Sequence, residues 1–299
     1  ATSNSTHDAV EKAKEVAARA GVDAILTASP YYNKPTQEGQ YRHFRAIAEA
    51  VPEKSIILYN VPGRTAANLE PATLARLAEI PNIIGVKEAS GNMTQIAEAI
   101  NSVPETFLVF SGDDAVTLPV IALGGVGVVS VASNEIPHEM TLLTRAALNN
   151  DWLTARALNR KYLPLMQANF IESSPLPVKA VLAMMGKIEE TYRLPLLPMR
   201  RDTRSKLQKI AMEAGVIAKA ATAAPEAAAF FIYENWAAGP RKIVLHRGSC
   251  GQCNQGKGRP SGHDANHSNW HGPYATLAHG REAAHAMTGV LIRSECKCI

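Results

Sequence analysis

Cysteine is absent from the first 249 of the 299 residues, and all four cysteines, Cys250, Cys253, Cys296 and Cys298, lie within the last fifty. A disulfide framework is therefore excluded for most of the chain. Six of the nine histidines also follow residue 240. This shift in composition predicts two parts joined end to end, with the alanine-rich segment 218–229 as the linker between them.

A strong excess of one charge is also lacking. Lys and Arg number 31 against 27 Asp and Glu, and this small surplus does not indicate nucleic acid or an anionic membrane as the main partner. Hydrophobic residues make up 46% of the chain, which is enough for a folded core. Residues 240–299 hold eight basic and three acidic side chains, so the surplus is local. We interpret it as solvated charge on a small module and expect no nucleic acid partner.

A secretory leader is absent as well, because the first residues contain neither a basic segment nor an apolar run. We therefore expect a cytoplasmic protein. The chain opens without Met, as a chain that begins within a longer protein would. The uncharged stretch 115–134 has the length of a membrane span, but Pro119 and three glycines divide it into a helix, a turn and a strand. No membrane association is expected.

Five short apolar segments, each followed by a helical pattern, are the main feature of the first half. The predicted strands are 24–28, 55–59, 82–87, 107–110 and 128–131. Because the runs are almost continuously apolar, we expect a parallel sheet covered on both faces. The alternation predicts an α/β fold, either a partial (β/α)8 TIM barrel with about five of its eight strands or an open doubly wound sheet.

Helical patterns alone follow from about residue 137 to residue 220. The predicted organisation is a partial TIM barrel over 1–136 and a helical C-terminal domain over 137–217. The linker 218–229 and a small Cys/His-rich tail module over 230–299 complete it.

Three strand ends carry side chains suited to chemistry, and Lys87 is the most informative of them. In parallel α/β folds the carboxyl ends of strands face the site, and desolvation there lowers the pKa of a lysine, so that its neutral amine becomes a nucleophile. The alternative is a lysine whose stem lies along the surface. Tyr59 could relay protons or simply pack, and Arg64 could hold a carboxylate or be solvated. The glycine run 124–127 indicates either a close approach to a ligand or a tight turn.

Four motifs carry a resemblance to a known family. They are Tyr59-Asn-Val-Pro-Gly-Arg-Thr65, Ile84-Gly-Val-Lys-Glu-Ala-Ser-Gly91, Ser29-Pro-Tyr-Tyr-Asn-Lys-Pro35 and Ser111-Gly-Asp-Asp114. With them, residues 1–218 resemble the 4-hydroxy-tetrahydrodipicolinate synthase (dihydrodipicolinate synthase) family. The resemblance implies a class I lyase of lysine biosynthesis, which condenses pyruvate with L-aspartate 4-semialdehyde. Arg64 within its motif favours this family over N-acetylneuraminate lyase.

Two alternatives stay open beside this one. The chain could be another pyruvate aldolase of the same superfamily, acting on 2-keto-3-deoxy sugar acids. It could also be an inactive barrel remnant that carries a metal-binding interaction module.

The resemblance assigns a role to five residues. Lys87 would form the Schiff base with pyruvate, Tyr59 would relay protons, and Arg64 would anchor a carboxylate. Tyr32 would reach across a dimer interface into the neighbouring site, and Val129 would line the pyruvate pocket through its backbone. A homo-oligomer, dimer or tetramer, is implied, and catalysis would need no cofactor beyond the covalent Schiff base.

Feedback control by lysine is a further implication. Asn4, Asp8 and Tyr31 lie where family members bind this inhibitor, although Glu is more usual at the position of Asp8. The family's Thr-Thr-Gly-Glu motif and its first three strands have no counterpart in this sequence. We therefore expect a fragment of a longer protein or an incomplete version of the enzyme.

The tail resembles no family that we identify. Cys250-x-x-Cys253, Cys296-x-Cys298 and His246 supply enough ligands for one tetrahedral structural Zn²⁺. Free thiols and disulfides are the alternatives, and a cytoplasmic location argues against disulfides.

Overall fold

The computed structural model of the protein describes residues 1–218, 230–235, 242–247, 268–274, 277–288 and 294–295. The chain divides into two compact units, Ala1–Ala218 and Lys219–Ile299, and each is described here by itself.

A five-stranded parallel sheet organises the first unit. Its strands follow one another in chain order, and every neighbouring pair is parallel. They are β1 Ala24–Ala28, β2 Ser55–Asn60, β3 Ile83–Glu88, β4 Leu108–Ser111 and β5 Gly127–Val128. The prediction of an α/β fold built on a parallel sheet is confirmed.

Helices connect these strands and then continue alone. Helix α1 Thr6–Ala17 precedes β1, and the connecting helices are α2 Gln37–Ala50, α3 Pro62–Thr65, α4 Pro71–Ala78, α5 Met93–Ser102 and α6 Thr117–Ala122. Four helices follow the sheet, namely α7 Pro137–Leu148, α8 Trp152–Ala168, α9 Leu176–Met184 and α10 Arg201–Glu213. They enclose a core of their own, in which Leu143, Leu165 and Leu207 are fully buried.

One face of the sheet is covered by helices and the other is more open. Side chains alternate between the faces of a strand, and in β2 the buried positions Ile56, Leu58 and Asn60 alternate with the half-buried Ile57 and Tyr59. The buried face packs against α1, α2, α4 and α5. The expected cover on both faces is therefore not found among the residues that the structure describes.

Strand β5 is shorter than predicted. The predicted strand ran to residue 131, whereas the backbone N–H groups of Val131 and Ala132 donate to the buried carboxylate of Asp114 at 3.0 and 2.9 Å. These two bonds turn the chain into a short 3-10 helix, Ala132–Asn134, instead of extending the ladder. The glycine run before β5 forms a tight turn, in which the Gly125 N–H donates to the carbonyl of Val120 at 2.8 Å.

The second unit contains a sheet that the sequence did not predict. Its strands are β6 Phe230–Asn235, β7 Lys242–Arg247, β8 Ser268–Tyr274 and β9 Ser294–Glu295, in the order β8-β6-β7-β9, with α11 Leu277–Thr288 between the last two in sequence. Strand β6 is antiparallel to β7 and β8, and β7 is parallel to β9. Ile232 and Leu245 are buried.

No helix among the described segments has the length and apolar character needed to cross a bilayer.

Candidate active site

Lys87 and Tyr59 meet at the carboxyl ends of adjacent strands. They are partners in the register of β2 and β3, and the Lys87 Nζ lies 4.4 Å from the centroid of the Tyr59 ring. Burial lowers the pKa of Lys87, the negative charge of Asp114 opposes this shift, and the positive charge of Arg64 adds to it. Burial raises the pKa of Tyr59, and Arg64 acts against that shift. The arrangement favours a neutral amine beside a protonated phenol.

Arg64 lies on the exposed side of the one-turn helix α3. Pro62 begins this helix, and Ala66 ends it in the left-handed conformation at φ 58°. The Arg64 charge acts on both Tyr59 and Lys87, so the structure brings these three predicted residues together. The sequence pattern predicts only a strand end at this segment, without the helical turn.

Tyr32 and Val129 are both exposed and lie near the ends of strands. The Tyr32 side chain is 86% exposed, and its N–H donates at 3.2 Å to the carbonyl of Thr65, which follows Arg64. The Val129 N–H donates at 2.9 Å to the carbonyl of Ser111 at the end of β4. Both residues therefore sit at the same end of the sheet as Lys87.

The three residues predicted to bind lysine lie at the beginning of the chain and in the following loop. The Asn4 carbonyl accepts a hydrogen bond of 2.9 Å from the side chain of Asn33, which places Asn4 against the loop that carries Tyr31. Asp8 lies in the first turn of α1, where its side chain is exposed and contacts His7.

Behind the open face, the same two strands carry a buried polar pair that the sequence analysis missed. Asn60 and Glu88 are register partners, and the Asn60 amide donates to the Glu88 carboxylate at 3.0 Å. Burial raises the pKa of Glu88, while hydrogen bonds from Ser90 and Asn60 oppose that shift. A signal was present, since period-two alternation places the residue after each candidate on the opposite, buried face.

A second buried polar group lies beyond the end of β4. Asp114 is 1% exposed and holds the loop after Val129 through its bonds to Val131 and Ala132. Glu135 accepts a hydrogen bond of 2.9 Å from Asn169, and burial raises its pKa to about 8. Burial therefore favours the neutral form of Glu135. These residues were also missed, because their partners are distant in sequence.

Metal ligands are not clustered in the part of the chain that the structure describes, where no group of three or more His, Cys, Asp or Glu side chains is arranged to hold an ion. Of the residues predicted to bind zinc, His246 belongs to β7. Cys250, Cys253, Cys296 and Cys298 lie outside the described residues.

The fold and the site together define a class: a parallel α/β enzyme with a lysine of lowered pKa at a strand end, facing a tyrosine and an arginine. The model of the dihydrodipicolinate synthetase family matches residues 1–214. The chain belongs to this family.

Among curated relatives, the 4-hydroxy-tetrahydrodipicolinate synthase of Koribacter versatilis (strain Ellin345) is 70% identical over 75% of this chain and 74% of that protein. Among solved structures, the chloride-inhibited dihydrodipicolinate synthase of Acinetobacter baumannii, complexed with pyruvate, is 44% identical with a TM-score of 0.70, over 72% of this chain and 74% of that one. The lysine-bound enzyme of Cyanidioschyzon merolae is 41% identical with a TM-score of 0.70, over 73% of each chain.

Proposed function

We propose that the chain is a 4-hydroxy-tetrahydrodipicolinate synthase, which joins pyruvate to L-aspartate 4-semialdehyde through a Schiff base on Lys87. The observation that carries the proposal is the Lys87 amine, half-buried, depressed in pKa and 4.4 Å from the ring of Tyr59. The high identity to a relative of that name supports this substrate pair over the 2-keto-3-deoxy sugar acids.

The chemistry follows from the geometry. The neutral Lys87 amine attacks the ketone carbon of pyruvate, and loss of water leaves an iminium. Loss of a proton from the methyl carbon gives an enamine, whose carbon attacks the aldehyde carbon of the semialdehyde. The amino group of the bound product then displaces Lys87 as the ring closes, which frees the enzyme. No further cofactor is called for.

Each neighbouring residue has a proposed part in this reaction. Tyr59 relays protons to and from the departing water and the new alkoxide. Arg64 binds a substrate carboxylate, for which a guanidinium offers paired N–H donors. Val129 lines the pyruvate pocket through its backbone, and Tyr32 enters the site of a neighbouring subunit in a homodimer or homotetramer.

Borohydride trapping tests the Schiff base. The chain, treated with pyruvate and borohydride, should gain the mass of one carboxyethyl group, which is pyruvate less water plus two hydrogens, and peptide mapping should place it on Lys87. The variant Lys87→Met should gain none, while Lys206→Met, which removes an exposed lysine elsewhere, should react like the parent. An unlabelled parent chain, or a label elsewhere, contradicts the proposal. Comparing turnover of aspartate semialdehyde with that of sugar-acid substrates tests the substrate assignment.

Lysine is the proposed feedback inhibitor, bound by Asn4, Asp8 and Tyr31. The contact between Asn4 and Asn33, beside Tyr31, supports this grouping, and the relative from C. merolae was solved with lysine bound. The variant Tyr31→Phe should weaken inhibition by lysine and leave the KM for pyruvate unchanged.

For the rest of the chain we propose a partial barrel over 1–136, a helical domain over 137–217, a linker over 218–229 and a zinc module over 230–299. Cys250, Cys253, Cys296 and either Cys298 or His246 would hold one structural Zn²⁺. The parallel pairing of β7 with β9, with Leu245 opposite Glu295, supports this set. Parallel strands end at the same edge of a sheet, and in sequence a cysteine pair follows each of these two strands.

Metal analysis of the full-length chain tests the zinc site. We expect about one zinc per chain, removed by the double substitution Cys250→Ser and Cys253→Ser without loss of pyruvate trapping. Four thiols that react freely with a thiol reagent in a metal-free chain would contradict it, as would two disulfides.

A further inference from the structure

The strands that carry Lys87 and Tyr59 also carry Asn60 and Glu88, one residue further along and on the opposite face. Both of these polar side chains are buried. They pair across β2 and β3 in the same register as Tyr59 and Lys87. Polar groups at such positions are costly unless they are fully hydrogen-bonded, so their partners explain their presence.

Asn60 is the hub of a hydrogen-bond network. Its side-chain oxygen accepts from the backbone N–H of Leu69 at 2.9 Å. Its side-chain nitrogen donates to Asn68 Oδ1 at 3.1 Å and to Glu88 Oε2 at 3.0 Å. Asn68 in turn forms a reciprocal amide pair with Gln95 of α5, at 2.8 and 3.0 Å.

Glu88 fixes the chain on the other side of Lys87. Its second oxygen accepts from the backbone N–H of Ser90 at 2.7 Å, and its carbonyl accepts from Gly112 at 2.7 Å. A side chain on Gly112 would meet Ala89 at 2.6 Å, so this close approach requires glycine. The Glu88 side chain thus fixes the backbone at Ser90, and its main chain bonds to Gly112, both directly beyond Lys87.

Arg64 lies in the segment between Asn60 and Leu69. The hydrogen bond from the Leu69 N–H to the Asn60 side chain ties the two ends of this segment together. We propose that Asn60 and Glu88 are positioning residues, which set the placement of Arg64 relative to Lys87 from behind the sheet. The catalytic part of this inference rests on the proposed function.

The polarity of the network supplies a sharp test. In Glu88→Gln, the side-chain oxygen must still accept from Ser90, which turns the new NH₂ toward the NH₂ of Asn60. Asn60 cannot rotate away without turning its own NH₂ toward the N–H of Leu69. Asn60→Asp instead places a second carboxylate at hydrogen-bond distance from the Glu88 carboxylate, so that two acceptors face each other. In the double variant Asn60→Asp with Glu88→Gln, the new NH₂ of residue 88 donates to the new carboxylate of residue 60. The side-chain amides of Asn68 and Gln95 both rotate, so that Asn68 also donates to that carboxylate.

We expect each single variant to slow pyruvate trapping at Lys87 about tenfold or more, and the double variant to recover to within about threefold of the parent. The KM for the substrate whose carboxylate Arg64 binds should rise in the single variants, because Arg64 is displaced. Glu98→Gln, which changes an exposed carboxylate on α5, is the matched control and should behave as the parent. All assays are run well below the melting temperature of the least stable variant.

Two further measurements need no substrate. Amide hydrogen exchange at Leu69 and Ser90 should accelerate in both single variants and return toward the parent in the double variant. The pH at which Lys87 becomes half-reactive toward reductive methylation should rise in the single variants, because Arg64 no longer lowers the pKa of Lys87. If the parent traps no pyruvate but these measurements change and recover as stated, the proposed function fails and the positioning role stands. Unchanged exchange and titration, or no recovery in the double variant, would overturn the positioning role.

Discussion

The two faces of the parallel sheet differ in function: one packs into the core, and the other carries the reactive side chains. On the helix-covered face, Leu58 and Val86 pack into the core, and Asn60 and Glu88 satisfy one another. On the open face, Ile57 and Lys87 are half-buried, and the Lys87 amine lies beside the ring of Tyr59. The comparison shows that residues which stabilise the core and residues which carry the chemistry alternate along each strand.

The largest expected effect that would sharpen this comparison comes from paired truncations in β2. Leu58→Ala removes a fully buried side chain and should lower the free energy of unfolding by about 2 to 5 kcal/mol. Ile57→Ala, on the open face, should cost about 1 kcal/mol or less. Urea unfolding of both variants measures the contrast, and equal losses would show that the two faces are equally packed.

A smaller effect is expected from pH acting on the covered side. Burial lowers the pKa of His43 to about 4, below its usual 6.5, and its ring contacts the hydroxyl of Thr6 at 3.0 Å. The unfolded chain binds a proton between these two values and the folded protein does not. Stability should therefore fall by about 1 to 3 kcal/mol as the pH drops from 6.5 to 4. His43→Asn should lose this contribution, and thermal melts of both proteins across that pH range provide the measurement. A variant whose melting temperature follows the same pH curve as the parent would refute the assignment.

The smallest expected effect concerns pH on the open face. Because the Arg64 charge lowers the pKa of Lys87, Arg64→Gln should raise the pH at which Lys87 becomes half-reactive toward methylation. The melting temperature should change little, since Arg64 is exposed. A shift to lower pH would mean that Arg64 does not act on the amine through its charge.

The sequence was sufficient to predict the first four strands of the first unit to within one residue, because each is a short apolar run bounded by turn residues. The grouping of Lys87, Tyr59 and Arg64 was also predictable, because chemistry in parallel folds collects at the carboxyl ends of strands. The small sheet of the tail was not predicted, since its strands include polar and glycine residues, as in Ser268–Tyr274.

Only the tertiary structure decided which polar groups support the site. Glu135 meets Asn169 across 34 residues of sequence, and Asn60 meets Glu88 across 28. Periodicity specifies which face a side chain occupies, but the partner that satisfies it depends on how helices and loops pack around that face. The placement of Arg64 depends on such partners, because a residue outside the strands is not positioned by the hydrogen bonds of the sheet. The sequence by itself therefore determined where the strands lie along the chain and which chemistry their ends carry. Packing between distant segments decided the order of the strands in the sheet and the geometry in which that chemistry is held.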